Sequence, residues 1–228
     1  MGILKRMIGV FYRPGEVFKH LSEKPDWVVP FILVAIVTLV FVSITLPTII
    51  LPEQSETILE RLPEEMSQEQ KDEIIARATG TQGMILGLLG TLFTILFLLF
   101  GRSGIFLALF SLFGGKSTYK HALSVTSYAM LIHIIDILIK TPMMFAKRTA
   151  RVYTSLALLI PEGDPFSKAF QFLARFDLFT LWELSLLSIG FSILYKSSLK
   201  KSAGVVFGLW ILWVVVSVLI SGAFRFGR

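Results

Sequence analysis

The stretch FYRPGEVFKHLSEKPDWVVPFILV, residues 11–34, passes without a linker from basic, aromatic, proline-punctuated sequence into an unbroken apolar run. Upstream, Ile3, Leu4, Met7, Ile8 and Phe11 recur at helical spacing, with Lys5 and Arg6 off that stripe. Pro14 fits the first position of a second short helix, where a missing N–H costs nothing. Val17, Phe18 and Leu21 give that helix an apolar stripe of its own. Pro25 stops it, Trp27 has the character of an interfacial anchor, and Pro30 falls in the first turns of the next run. The prolines thus set two corners. Residues 1–26 are expected to be amphipathic helices resting on a membrane before the chain turns to cross it. The alternative is a water-soluble amphipathic tail packed on protein.

Composition agrees with a membrane. Of 228 residues, 54% are hydrophobic and 17% charged, too little charge to cover a soluble domain of this length. The absence of cysteine excludes disulfide frameworks, thiolate metal sites and cysteine nucleophiles. The first apolar run is too long for the core of a cleavable signal. The net charge of +6 lies beside apolar runs, which points to anionic lipid headgroups and away from nucleic acid. Five runs, 28–50, 83–113, 119–139, 178–195 and 203–224, approach or exceed the about 20 helical residues that a hydrocarbon core requires. They are continuous and do not alternate, so helices are expected and not a barrel. The expected fold is all-α, a polytopic membrane protein. Its five transmembrane helices occupy 27–228, with interfacial helices at the N-terminus and in an outer loop.

An odd number of crossings puts the termini on opposite sides. Lys5, Arg6, Arg13, Lys19 and Lys24 before the first span, with Lys116, Lys120, Lys196, Lys200 and Lys201 in short loops, favour a cytoplasmic N-terminus and an outer C-terminus. Lys140, Lys147, Arg148, Arg151, Lys168 and Arg175 then fall outside, against the rule, in a long loop whose charge counts for less. The outer segment 51–82 carries eight acids against Arg61, Lys71 and Arg77. Opposite charge should dock it on the basic outer loop 140–177; independent solvation of the two is the alternative.

The run 83–113 exceeds one bilayer thickness, and GRSG at 101–104 is the natural break, with Arg102 reaching toward inner headgroups. A tilted unbroken helix is the alternative. Gly83, Gly87 and Gly90, and Gly204 and Gly208, have spacings that permit close helix contact, within one chain or in a homo-oligomer. Ionisable groups inside spans are the usual functional pointers. Here they are His133 and Asp136, one turn apart near the outer end of the third run, and Glu183 in the fourth. With Arg102 they form the candidate polar site: either a pocket for a headgroup, proton or ion, or a packing hydrogen bond plus an interfacial pair of Asp136 with Lys140. In the outer loop, Thr141-Pro142 and Asp164-Pro165 read as helix starts, the second helix carrying Phe166, Phe170 and Leu173 on one face.

No enzyme constellation is present. His20, His121 and His133 make no HExxH, and there is no phosphate loop or nucleophile elbow. Glu64-Glu65 resembles the paired glutamates of intramembrane CAAX proteases but lies in a polar loop without matching histidines. Neither catalysis nor a metal or cofactor is expected.

Three stretches resemble the Yip family of five-span membrane proteins, named for binding Ypt/Rab GTPases: residues 11–33, 113–131 and 176–212. The matching positions are Phe11, Pro14, Phe18, Pro25, Pro30, Gly114, Gly115, Tyr128, Asp177, Trp182 and Gly190. The resemblance implies a cytoplasmic N-terminus. Eukaryotic members carry a longer polar region ahead of the bundle, so this looks like a prokaryotic member, to which GTPase recruitment does not carry over. Bacterial relatives are associated with ABC-type exporters. The expected function is therefore that of a noncatalytic accessory or scaffold in the cytoplasmic membrane, binding membrane protein partners and shaping lipid. The alternative is a small transporter, channel or lipid-moving protein using the polar groups near Asp136 and Glu183.

Overall fold

The computed structural model describes residues 1–60, 62–160 and 167–223; the expected helix start at Asp164-Pro165, and Phe166 after it, lie outside them. Among the described residues all regular elements are helices. In order they are α1 (Ile3–Tyr12), α2 (Pro14–Glu23), α3 (Val28–Thr45), α4 (Leu51–Leu59), α5 (Gln68–Thr79), α6 (Thr81–Leu96), α7 (Arg102–Leu112), α8 (Tyr119–Ala129), α9 (Ile132–Lys147), α10 (Lys168–Ala174), α11 (Leu178–Leu194) and α12 (Leu199–Ala223). Single π-turns at 46–50 and 97–101 and a 3-10 turn at Leu156–Leu159 complete the set. Four helical stretches are long and apolar enough to cross a membrane, and Leu178–Leu194 is a shorter apolar helix. The chain is an all-α polytopic membrane protein.

It divides into two compact units. The first comprises residues 1–31, 99–133 and 153–228. Pro14 opens α2 as its first residue, and Val17, Phe18 and Leu21 are buried where α2 packs on α8 and α11. The apolar stripe of α2 therefore faces protein, which corrects the expectation that it rests on lipid. The reason lies in Gly190. A Cβ there would stand 2.4 Å from Val125 Cγ1 and 3.2 Å from the Phe18 ring, so only glycine admits Phe18. In α1 the expected stripe is not buried: Ile3, Leu4 and Ile8 stay exposed, and the residues that turn inward, Gly9 and Val10, lie off it. At the other end, Phe110 stacks on Tyr195 at 4.7 Å and both stack on Phe191. Gly114 turns the chain with φ +80°, and a Cβ on Gly115 would meet the Tyr195 ring at 2.4 Å.

The second unit comprises residues 32–98 and 134–152. The first span does not end at residue 50. A π-turn absorbs Pro47, and the helix continues through α4 to Leu59. The acidic segment is largely helical too, because Ser67 and Gln70 form a reciprocal capping box that starts α5. No break occurs at 101–104; the chain turns sharply at Gly80 instead and is then helical to Leu112 through one π-turn. Pro142 sits inside α9 and starts no new helix. Proline is tolerated this way in membrane helices, whose freed carbonyls find local partners. Arg148, at φ +53°, follows the end of α9. Of the glycines with close-contact spacing, Gly87 meets Leu46, whereas Gly90, Gly204 and Gly208 face open space.

Candidate functional site

Glu183 lies one and a half turns into α11 and is 3% exposed. Its Oε1 accepts a hydrogen bond from Arg102 Nη1 at 2.8 Å and stands 3.5 Å from His133 Nε2. Arg102 is the first residue of α7, and His133 is the second of α9. Next to this cluster in sequence, Ser103 Oγ donates to Thr126 Oγ1 at 2.9 Å, joining α7 to α8 with both residues fully buried. Contrary to the expectation from sequence, Arg102 does not reach for headgroups, because the buried Glu183 carboxylate offers it a partner in a medium where an unpaired charge is costly. At about 1.5 Å per residue, Arg102 lies about 15 Å from the C-terminal end of α7 and Glu183 about 16 Å from the C-terminal end of α11, both within apolar helices. His133 comes midway along the stretch Tyr119–Lys147, not near its end. The ends differ from expectation because α9 continues past residue 139.

Three of the four candidate residues are thus brought together within the first unit. The fourth, Asp136, belongs to the second, where its Oδ1 pairs with Lys140 Nζ at 2.7 Å along one face of α9. Chemically, the Arg102–Glu183–His133 cluster presents a guanidinium and an imidazole to one carboxylate oxygen. It can hold charge inside the first unit and tie Arg102 of α7 and His133 to Glu183 of α11. Among the described residues no group of three or more His, Asp or Glu is arranged to hold a metal ion.

Two further polar clusters lie outside the candidate site. Arg6 in α1 donates through Nε to the buried Tyr128 hydroxyl at 3.0 Å, through Nη2 to Asp26 at 2.6 Å, and through Nη1 to the Met1 carbonyl at 2.6 Å. Its Nη1 also stands 3.4 Å from His20 Nε2. The available signal was the position of Arg6 on the face of α1 opposite the presumed lipid stripe. In the second unit, Glu53 of α4 accepts from Thr149 Oγ1, from the Ala150 backbone N–H at 2.7 Å and from Arg151 Nε at 2.8 Å. Glu53 of the acidic segment 51–82 therefore holds residues 149–151 of the basic segment 140–177, a contact that their opposite charges led us to expect.

The positions that carry the family resemblance have identifiable physical tasks. Phe11 meets Trp182 edge to face at 6.1 Å. Phe18 fills the space above Gly190. Pro25 and Pro30 flank Trp27, itself not one of those positions, which packs edge-on to Phe100 at 5.6 Å. Asp177 caps α11 by accepting from the Phe179 N–H at 2.9 Å, and it also accepts the Thr154 hydroxyl.

The family model described as the Yip1 domain matches residues 8–221. Among curated proteins, membrane protein YknW of Bacillus subtilis (strain 168) is 27% identical over 226 residues, covering 94% of this chain and 90% of that protein. No solved structure matches the chain.

Proposed function

The chain belongs to the Yip1 domain family, and from that premise we propose that it is a noncatalytic accessory or scaffold protein of a prokaryotic cytoplasmic membrane. It crosses five times, N-terminus inside and C-terminus outside, and binds other membrane proteins, an ABC-type exporter among the candidates, through lipid-facing helix surfaces. Anionic headgroups bind its basic inner loops. The observation that carries the reading is how the intramembrane charges are used. Arg102 is spent on Glu183 and Lys140 on Asp136, so these groups serve as internal ties between and along helices. Meanwhile α6 and α12 present Leu86, Phe93, Leu212 and Leu219 outward. Affinity capture from membranes in mild detergent, read by mass spectrometry, tests it. A reproducible membrane protein partner whose capture survives Glu183→Gln is expected; capture of nothing but lipid overturns it.

A second reading, a small transporter or lipid-moving protein, draws on the cluster of Arg102, Glu183 and His133. It requires Glu183→Gln to abolish a transport or scrambling activity in vesicles while the variant stays folded. Reporter fusions at both ends test the topology, and two ends in one compartment would refute it.

A further inference from the structure

The segment between α9 and α11 carries a feature that neither the family resemblance nor the ionic cluster explains. In its 3-10 turn, Ala157 points inward at 2% exposure, whereas Leu156, Leu158, Leu159 and Ile160 are 44%, 60%, 75% and 37% exposed. This is not a loose end. Ser155 Oγ caps the Ala157 N–H, the Leu156 N–H donates to the Phe176 carbonyl, and Ser155 bridges to Asp177. The Leu178 N–H donates back to Thr154. The turn is therefore fastened to the first residue of α11, and its leucines are held outward by a hydrogen-bonded frame.

The depth of that frame follows from α12. Phe176 packs edge-on to Trp210 at 5.0 Å, and the Arg175 guanidinium lies 4.7 Å over the Trp213 ring. Helix α12 continues past Trp213 for ten residues, about 15 Å at about 1.5 Å per residue. A four-residue 3-10 turn extends only about 8 Å, so the leucine tip stays below the end of α12. At that depth α12 shows Leu212, Val215, Val216, Leu219 and Ile220 to its surroundings, which makes the medium there hydrocarbon. Helix α11, with 17 residues, is about 25 Å long and falls short of a core of about 30 Å.

We infer that the turn Leu156–Leu159, with Ile160 after it, is a lipid-inserted wedge, which enters the leaflet at the C-terminal end of α12 and completes the apolar thickness where α11 stops short. Its occupant is the acyl chains of that leaflet, continuous with the lipid-facing surface of α12. The wedge occupies one leaflet only, which makes this end of the molecule an asymmetric inclusion in the bilayer.

The chain contains no cysteine, so single labels test the wedge directly. Leu158→Cys and Leu159→Cys, spin-labelled in the full chain and reconstituted in phosphatidylcholine–phosphatidylglycerol vesicles, are compared with Leu212→Cys as a lipid reference and Glu64→Cys as an aqueous one. Each variant is admitted only if it elutes as the unmodified protein does. The expected result is that oxygen outcompetes a water-soluble nickel complex at 158 and 159 as strongly as at 212. A nickel response like that at 64 overturns the inference. So does low accessibility to both reagents, which would mean that protein, a second copy included, covers the turn.

Discussion

Val125, Tyr128, Leu187 and Phe191 in the first unit are at most 2% exposed, whereas Leu86, Leu89 and Phe93 on α6 of the second are 56–69% exposed. Between α6 and α8, the more apolar helix is the less buried one. Helix α8, YKHALSVTSYA, is buried from Ala122 to Ala129, and Ser124, Thr126 and Ser127 are among its fully enclosed residues. Helix α6, TQGMILGLLGTLFTIL, buries Ile95. In water this order would be reversed. In lipid the hydrophobic effect does not pull helices together, so burial goes to those with small side chains and hydroxyls that pack closely and bond across. The first unit is stitched; the second is mostly wetted by acyl chains.

That contrast is most sharply broken at Glu183. Replacing it with leucine leaves Arg102 enclosed without its carboxylate, a change that costs about 3–5 kcal/mol in buried pairs. Unfolding in mixed detergent micelles should show it, and the double variant Arg102→Met, Glu183→Leu should recover most of the loss. If Glu183→Leu alone is silent, the ion pair does not hold this unit together. In the second unit, the Asp136–Lys140 pair runs along one helix, and Asp136→Asn should cost well under the Glu183 change.

Packing gives the next largest effect. Gly190→Val must push apart Val125 and Phe18, and overpacking of this kind costs about 1–3 kcal/mol. Gly208→Ala meets open space and should be neutral or slightly stabilising, since alanine is the better helix former. At Gly87 the added atom meets only the tip of Leu46, which can rotate away, so Gly87→Ala should fall between the two. An equal response at 190 and 208 would remove the distinction between a stitched and a wetted helix.

The second unit has one stitch of its own. Glu53→Gln weakens the contacts to Thr149, Ala150 and Arg151 and should cost about 1.5–3 kcal/mol, the range for bonds to a charged group. A Glu53→Cys, Thr149→Cys pair should crosslink readily in the folded protein. Failure to crosslink would mean that the two outer segments do not dock.

Much of the architecture was legible because it depends on local chemistry. Pro14 opening α2 and the apolar runs themselves require only neighbours in sequence. What could not be read depends on choice among distant partners. Arg102 was assigned to headgroups because nothing near it identifies Glu183, 81 positions away. The stripe of α2 was assigned to lipid because lipid and a glycine-lined groove accept the same residues. The end of α9 was placed too early because Thr141-Pro142 is a start signal in water, yet in a membrane helix the same pair can be passed through. Glu53 was counted as one acid among eight, although the rule that opposite charges attract did predict its partner segment.

The smallest expected effect concerns the histidines, all three of which lie in the first unit. Burial, then the N-terminal ammonium, Arg6 and Lys24 lower the pKa of His20, with Glu23 acting weakly the other way. Neutral His20 can accept from Arg6 Nη1 through Nε2; the protonated ring cannot, and it repels the guanidinium. The sign follows from the lowered value. With the α1–α2 hairpin detached, His20 takes up its proton near the ordinary pKa of about 6.5, while in place it resists until the pH is lower. Its contribution is therefore complete above about 6.5 and is lost as pH falls from there through the lowered value. Proteolysis or amide exchange of residues 1–24 should accelerate modestly over that window, and His20→Gln should flatten the response. Exchange in α3 and α6 should not follow it, because the second unit has no histidine to titrate. A matching change in both units would assign the pH response to something other than the Arg6–His20 contact.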